Sequence, residues 1–108
     1  MSARPSWTVY LLRCADRSLY CGITNSLEAR VAAHNAGRGA KYTRSRLPVV
    51  VAFSRGRQSG TDARRLEYAL KQLSRAAKQR LVDGDVGPWR ALRAALVTNP
   101  QRRRNVSE

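Results

Sequence analysis

Acidic side chains are scarce in this chain, and so are the residues that usually build metal or disulfide centres. Its 108 residues hold 7 Asp+Glu, 1 His and 2 Cys, with 1 Met and 1 Phe. Two cysteines make no disulfide framework, and two cysteines with one scattered histidine are too few for a structural zinc site. No stretch approaches the ~20 apolar residues of a membrane span. The opening Met1-Ser2-Ala3-Arg4-Pro5-Ser6 has no apolar segment of a secretory signal. There is no phosphate-cradling glycine loop of nucleotide-binding type, no internal repeat and no low-complexity linker. The expectation is a soluble, cytoplasmic protein.

What is present is positive charge. Lys+Arg number 21, and the formal net charge is +14. A field of that sign attracts polyanions, of which nucleic acid is the commonest. The bland alternative is a soluble basic protein whose arginine excess reflects codon bias. Hydrophobic residues make up 43% of the chain, which excludes simple disorder. The length suits one domain with its own core. Composition says nothing about catalysis.

Period-two alternation predicts a β-hairpin over 7–24. Trp7, Val9 and Leu11 alternate with Thr8, Tyr10 and Leu12; Leu19, Cys21 and Ile23 alternate with Tyr20, Gly22 and Thr24. Both apolar sets are odd-numbered. Placing them on one face requires paired residue numbers with an even sum, hence an odd-length loop or a bulge. Tyr10 and Tyr20 then share the other face near Gly22. Cys14 falls on the tyrosine face and Cys21 on the apolar face, which argues against a disulfide between them.

A helix follows, with Asn25 and Glu28 spaced as a capping box and Gly37 as the C-terminal stop. Leu27, Arg30, Val31 and His34 share one stripe of it. Residues 38–47 read as a basic, glycine-containing loop, 48–53 as a third, well-buried strand and 54–60 as a second basic loop. A second helix starts near Thr61 or Asp62, with Ala63, Leu66, Leu70 and Leu73 on its apolar face. Ser74 caps a short helix ending before Gly84, and Pro88 opens a last helix carrying Trp89, Leu92, Leu96 and Val97. The tail holds Arg102-Arg103-Arg104, suited to weak, salt-sensitive binding.

Taken singly, the candidate reactive residues are ambiguous. Glu67 lies on the inward side of the second helix, where it is either salt-bridged to an arginine or a ligand for a hard cation such as Mg²⁺. Arg30 and His34 either snorkel at the edge of an apolar stripe or bind phosphodiester oxygens. Tyr10 and Tyr20 fit half-buried strands. A Cys14 or Cys21 nucleophile with His34 as base lacks a local signature, and a small buried cysteine is the default.

As an ordered set, these residues resemble the GIY-YIG nucleases. The two strand tripeptides read Thr8-Val9-Tyr10 and Tyr20-Cys21-Gly22. The following helix supplies Leu27-Glu28-Ala29-Arg30-Val31-Ala32-Ala33-His34, and the later one Leu66-Glu67-Tyr68-Ala69-Leu70-Lys71. The segment from His34 to Thr43 is similar to the small, stand-alone bacterial members. The chain departs from the pattern at Thr8, where glycine is usual, and at Cys21. An asparagine that some members use further along has no placed equivalent, and there is no second recognition domain.

The resemblance implies an α+β fold, a small three-stranded antiparallel sheet flanked by helices. It implies a nuclease domain over 7–83 after an N-terminal extension of residues 1–6, a packed helix over 84–99 and a basic tail over 100–108. It implies metal-dependent hydrolysis of DNA phosphodiesters, structure- rather than sequence-directed, in DNA repair or processing. Glu67 would hold one Mg²⁺ or Mn²⁺. Arg30 would stabilise charge on the scissile phosphate, and one of Tyr10 and Tyr20 would help deprotonate the attacking water while the other positions it. Arginines and a nearby cation would favour the phenolate. His34 would be an accessory contact. Arg38, Lys41, Arg44 and Arg46, interleaved with Tyr42, form the candidate nucleic-acid surface, either clamping phosphates and stacking a base or merely solvated. The DNA would be single-stranded or branched, with RNA not excluded. The alternatives are a non-catalytic nucleic-acid-binding module on the same scaffold and a domain that binds an acidic protein.

Overall fold

The computed structural model describes residues 6–97 of the chain. The basic tail and all but the last residue of the N-terminal extension lie outside them. Strands β1 (Trp7–Arg13) and β2 (Leu19–Thr24) are followed by helices α1 (Leu27–Asn35) and α2 (Lys41–Arg44). Strand β3 (Val50–Gln58) leads into α3 (Gly60–Gln72), α4 (Arg75–Val82) and α5 (Gly87–Leu96). The sheet is antiparallel in the order β2-β1-β3.

The hairpin register follows the even-sum rule. Val9 pairs with Ile23, Tyr10 with Gly22, Leu11 with Cys21 and Leu12 with Tyr20. The strands join through the five residues 14–18, an odd-length loop. The alternation therefore splits the sheet into two faces. Val9, Leu11, Cys21 and Phe53 pack with Ala63, Leu66 and Leu70 of α3, Leu81 of α4 and Trp89 of α5. Tyr10, Leu12, Cys14 and Val49 form a smaller cluster on the other face, closed by Leu27 and Val31 of α1. Leu66 and Leu70 are fully buried, each contributing about 1.5–3 kcal/mol by leaving water. Both cysteines are free and buried, one in each cluster.

The helix ends follow local chemistry. Gly37 has φ +80°; its N–H donates to His34 O and that of Arg38 to Ala33 O, the paired bonds of a glycine-terminated helix. Ser59 and Ser74 cap α3 and α4 by accepting from Asp62 N and Ala77 N at 3.0 Å.

Four local expectations are corrected. Ser26, not Asn25, precedes α1, and its side chain makes no capping bond; Thr24 Oγ1 instead accepts from Ser26 N at 3.0 Å. The segment 38–47 contains the four-residue helix α2. The third strand is not well buried, because it is a sheet edge with Val50 and Val51 48% and 42% exposed. It also runs on to Gln58 through the segment read as a loop, since an edge strand accepts polar side chains such as Ser54, Arg55 and Arg57.

Candidate active site

Strand β2 is the other sheet edge, and chemistry-bearing groups gather along it from both faces. On the smaller cluster's face, Tyr10 is 1% exposed and His34 has no exposed surface. The Tyr10 hydroxyl stands 3.5 Å from His34 Nε2, a long contact, and also accepts a hydrogen bond from Arg30. Gly22 makes room for the phenol. A Cβ there would overlap the Tyr10 hydroxyl and stand 2.6 Å from Cζ.

His34 is fixed from its other side. Nδ1 lies 2.8 Å from Thr43 Oγ1, and that hydroxyl donates to Ala40 O at 2.9 Å. A hydroxyl has one proton to give. With it committed to the carbonyl, Oγ1 accepts from Nδ1–H, and Nε2 presents its lone pair to Tyr10. Ala40 N–H also points at Nδ1, at 3.4 Å, the longer of the two contacts at that nitrogen. Gly39 permits the closure, since a Cβ there would overlap Nδ1 and stand 2.6 Å from Cγ. Burial, and then the Arg30 charge, hold the imidazole below its ordinary pKa of 6.5, so the ring is neutral at pH 7.

The Tyr10 phenol is pushed up from its ordinary value, chiefly by burial, which outweighs the Arg30 hydrogen bond. The Arg30 guanidinium by itself therefore does not favour a phenolate at this tyrosine. Desolvation of the anion exceeds what one guanidinium returns.

Tyr20 is half-buried and packs edge-on to His34, ring centroids 5.5 Å apart. Its outer side stacks on Tyr42 at 5.9 Å and 25°. The Arg46 guanidinium covers the Tyr42 ring at 3.9 Å, with Nη1 donating to Tyr42 O at 2.7 Å and Nε to Asp16 Oδ2 at 2.9 Å. Arg46 is thus engaged within the protein. Arg38, Lys41 and Arg44 are exposed around the same ladder, and Tyr42 is 41% exposed.

Glu67 reaches β2 from the opposite face. Its carbonyl accepts from Cys21 Sγ at 3.8 Å, and its carboxylate lies 3.6 Å from Lys71 Nζ, one helical turn on. The side chain is 24% exposed. Both halves of the sequence-based ambiguity have substance: there is an ion pair, to a lysine, and the carboxylate is open to solvent. Burial and the Glu67 charge push the Cys21 thiol up to about 12. A protonated thiol on the face away from His34 is no nucleophile for it to activate.

Among the described residues, no three His, Cys, Asp or Glu side chains cluster as a metal centre. A single accessible carboxylate still suits Mg²⁺, which keeps several waters and takes its remaining ligands from substrate phosphates. Glu67 fits that donor set.

Three supporting residues were not legible beforehand. Thr43 and Gly39 set the histidine. Asn35 clamps the end of α1 to the entry of β3, its Nδ2 donating to Val49 O at 3.0 Å and its Oδ1 accepting from Val49 N at 2.7 Å. The unusual Gly-rich spacing at 37 and 39 was the available signal for the second. Thr43 and Asn35 lie in the family-like segment from His34 to Thr43, but nothing in it assigned their contacts.

Known proteins share this arrangement of sequence and fold. A UPF0213 protein from Staphylococcus haemolyticus is 47% identical over 75 residues, 69% of this chain and 92% of that protein. One from Natronomonas pharaonis is 49% identical over 79 residues, 73% of this chain and 93% of its own. The solution NMR structure of a protein from E. faecalis is 35% identical, with a TM-score of 0.51 over 77% of this chain and 88% of its own. The family model for the GIY-YIG catalytic domain matches residues 6–80. The chain belongs to the GIY-YIG catalytic domain family.

Proposed function

We propose that the protein is a metal-dependent endonuclease that hydrolyses DNA phosphodiesters, selecting structure rather than sequence, in DNA repair or processing. One arrangement carries this reading: Tyr10, Tyr20, Arg30 and His34 meet on one side of the exposed edge strand β2 while Glu67 reaches that strand from the other. Family membership supplies the reaction class. The charge of +14 suits a polyanionic substrate.

Hydrolysis forms a bond from a water oxygen to phosphorus and breaks one bridging P–O bond. Arg30 supplies a permanently charged, planar donor for the phosphate as negative charge grows on it. Tyr20 is the more accessible phenol and is assigned to the attacking water. Tyr10 is a positioning residue: it accepts from Arg30, donates to His34 Nε2 and so fixes both against β2. Glu67 would hold one Mg²⁺ or Mn²⁺, which when bound neutralises developing charge at the phosphate. Lys71 balances the carboxylate until then. Arg38, Lys41 and Arg44 contact flanking phosphates beside the Tyr20–Tyr42–Arg46 stack.

The test is cleavage of labelled single-stranded, duplex and branched DNA with Mg²⁺ or Mn²⁺ against EDTA, run beside Arg30→Ala and Glu67→Gln. Cutting that needs the metal and falls about a hundredfold or more in both variants, with binding retained, supports the assignment. Binding without cutting on every substrate would leave a nucleic-acid-binding module on the same scaffold.

A further inference from the structure

Away from the tyrosine–histidine cluster, at the closed end of the hairpin, an open cleft of 560 Å³ is lined by Arg13, Arg17, Arg75 and Gln79. Three guanidiniums and a carboxamide line it; the carboxamide is turned outward, Gln79 Nε2 donating to Asp83 Oδ1 at 3.0 Å. Elsewhere three acids are in ion pairs: Asp16 with Arg46, Glu67 with Lys71 and Asp85 with Arg80. Among the described residues the three cleft arginines have no such partner, although Asp16 adjoins Arg17 in sequence.

The cleft is held in shape. Arg75 Nη2 donates to Arg17 O at 2.7 Å, tying the first turn of α4 to the hairpin loop. Arg17 sits at φ 70°, a left-handed conformation that side chains other than Gly and Asn seldom adopt. Its N–H donates to Cys14 O, and the next residue, Ser18, donates its N–H to Asp16 Oδ1. The loop thus holds an arginine where a glycine would be easier, beside two further arginines.

Position links the cleft to the reaction centre. Arg13 pairs with Leu19, the neighbour of Tyr20 on β2. From Leu19 to Gly22 the strand rises roughly 10 Å, a span that a nucleic-acid strand covers within a few nucleotides.

We infer that this cleft is a second phosphate subsite, which takes a backbone phosphate of the nucleic acid a few nucleotides from the scissile bond. The inference rests on the proposed nuclease reading for its ligand. Its chemistry, a phosphate held by a guanidinium fork, is independent of catalysis.

The test measures binding of a fluorescent single-stranded oligonucleotide across a salt series, for wild type, Arg13→Gln, Arg75→Gln and the double variant. Arg13→Gln leaves the Arg75–Arg17 bond intact and so guards against a folding defect, which thermal melts also monitor. The double variant should bind about tenfold more weakly, and its salt slope should shrink by about 0.7, the loss of one phosphate contact on a single strand. Unchanged affinity and slope in a folded double variant overturn the inference. If wild type binds no nucleic acid, the nuclease reading falls, and the cleft is judged by titrating pyrophosphate against the amide NMR signals of Arg17 and Ser18. Shifts abolished by the double substitution sustain a phosphate site; their absence in wild type overturns it.

Discussion

The Tyr10 phenol occupies the space that a side chain at Gly22 would need. The two are directly paired across β1 and β2, and a Cβ at position 22 would overlap the hydroxyl. Gly22→Ala must therefore push the ring away from His34 and Arg30. Overpacking of this kind costs about 1–3 kcal/mol, read as a lower urea midpoint. Cleavage should fall about a hundredfold, because the displaced phenol no longer positions Arg30. An alanine variant with wild-type stability and rate would show that the close packing has no function.

Thr43→Val removes the hydroxyl that accepts from His34 Nδ1 and donates to Ala40 O. Both partners are then left short, at about 1–3 kcal/mol. Long-range ¹H–¹⁵N spectra of the imidazole should show the proton on Nδ1 in wild type and a mixed population in the variant. A wild-type spectrum with the proton on Nε2 would reverse the donor assignment toward Tyr10.

His34 is the chain's one histidine, which makes its contribution to pH dependence separable. Its folded pKa lies below the ordinary 6.5, so the unfolded chain takes up the proton first as the pH falls. The stabilisation is complete above about pH 6.5 and is lost below it, through the interval down to the folded pKa. Urea midpoints should drop between pH 7.5 and 5.5, and His34→Gln should flatten that slope. An equal slope in the variant would place the titration elsewhere.

Lys71 balances the Glu67 carboxylate and competes with any cation there. The pair is half-exposed and weak, worth less than about 1 kcal/mol. Lys71→Ala should strengthen Mn²⁺ binding by about threefold in a titration followed by calorimetry or paramagnetic relaxation. Weaker binding would mean that the lysine orients the carboxylate rather than competing for it.

The hairpin was legible because its signal is local and redundant. Odd-numbered apolar residues on both strands demand an even-sum register, and that register alone puts Tyr10 and Tyr20 together. The stripe of α1 likewise places Arg30 and His34 beside them. The reach of β3 was not legible, since Ser54, Arg55 and Arg57 look like loop residues unless the strand is known to lie at an edge. Asn35 and Thr43 act over distances in sequence that spacing cannot forecast, on Val49 and on His34. The basic cleft depends on Arg75 meeting Arg17, 58 residues apart. Charge counting gave the sign of the surface and not its places.

The division of the sheet into two unequal clusters has a thermal consequence. The larger one is apolar throughout and joins α3, α4 and α5; the smaller holds Tyr10 and packs beside His34. Fewer apolar contacts secure the side that holds the candidate reactive groups. Warming should therefore abolish the proposed cleavage some degrees before the helical signal melts, with hydrogen exchange quickening first in α1. The reacting groups would come apart while the scaffold beneath them still stands.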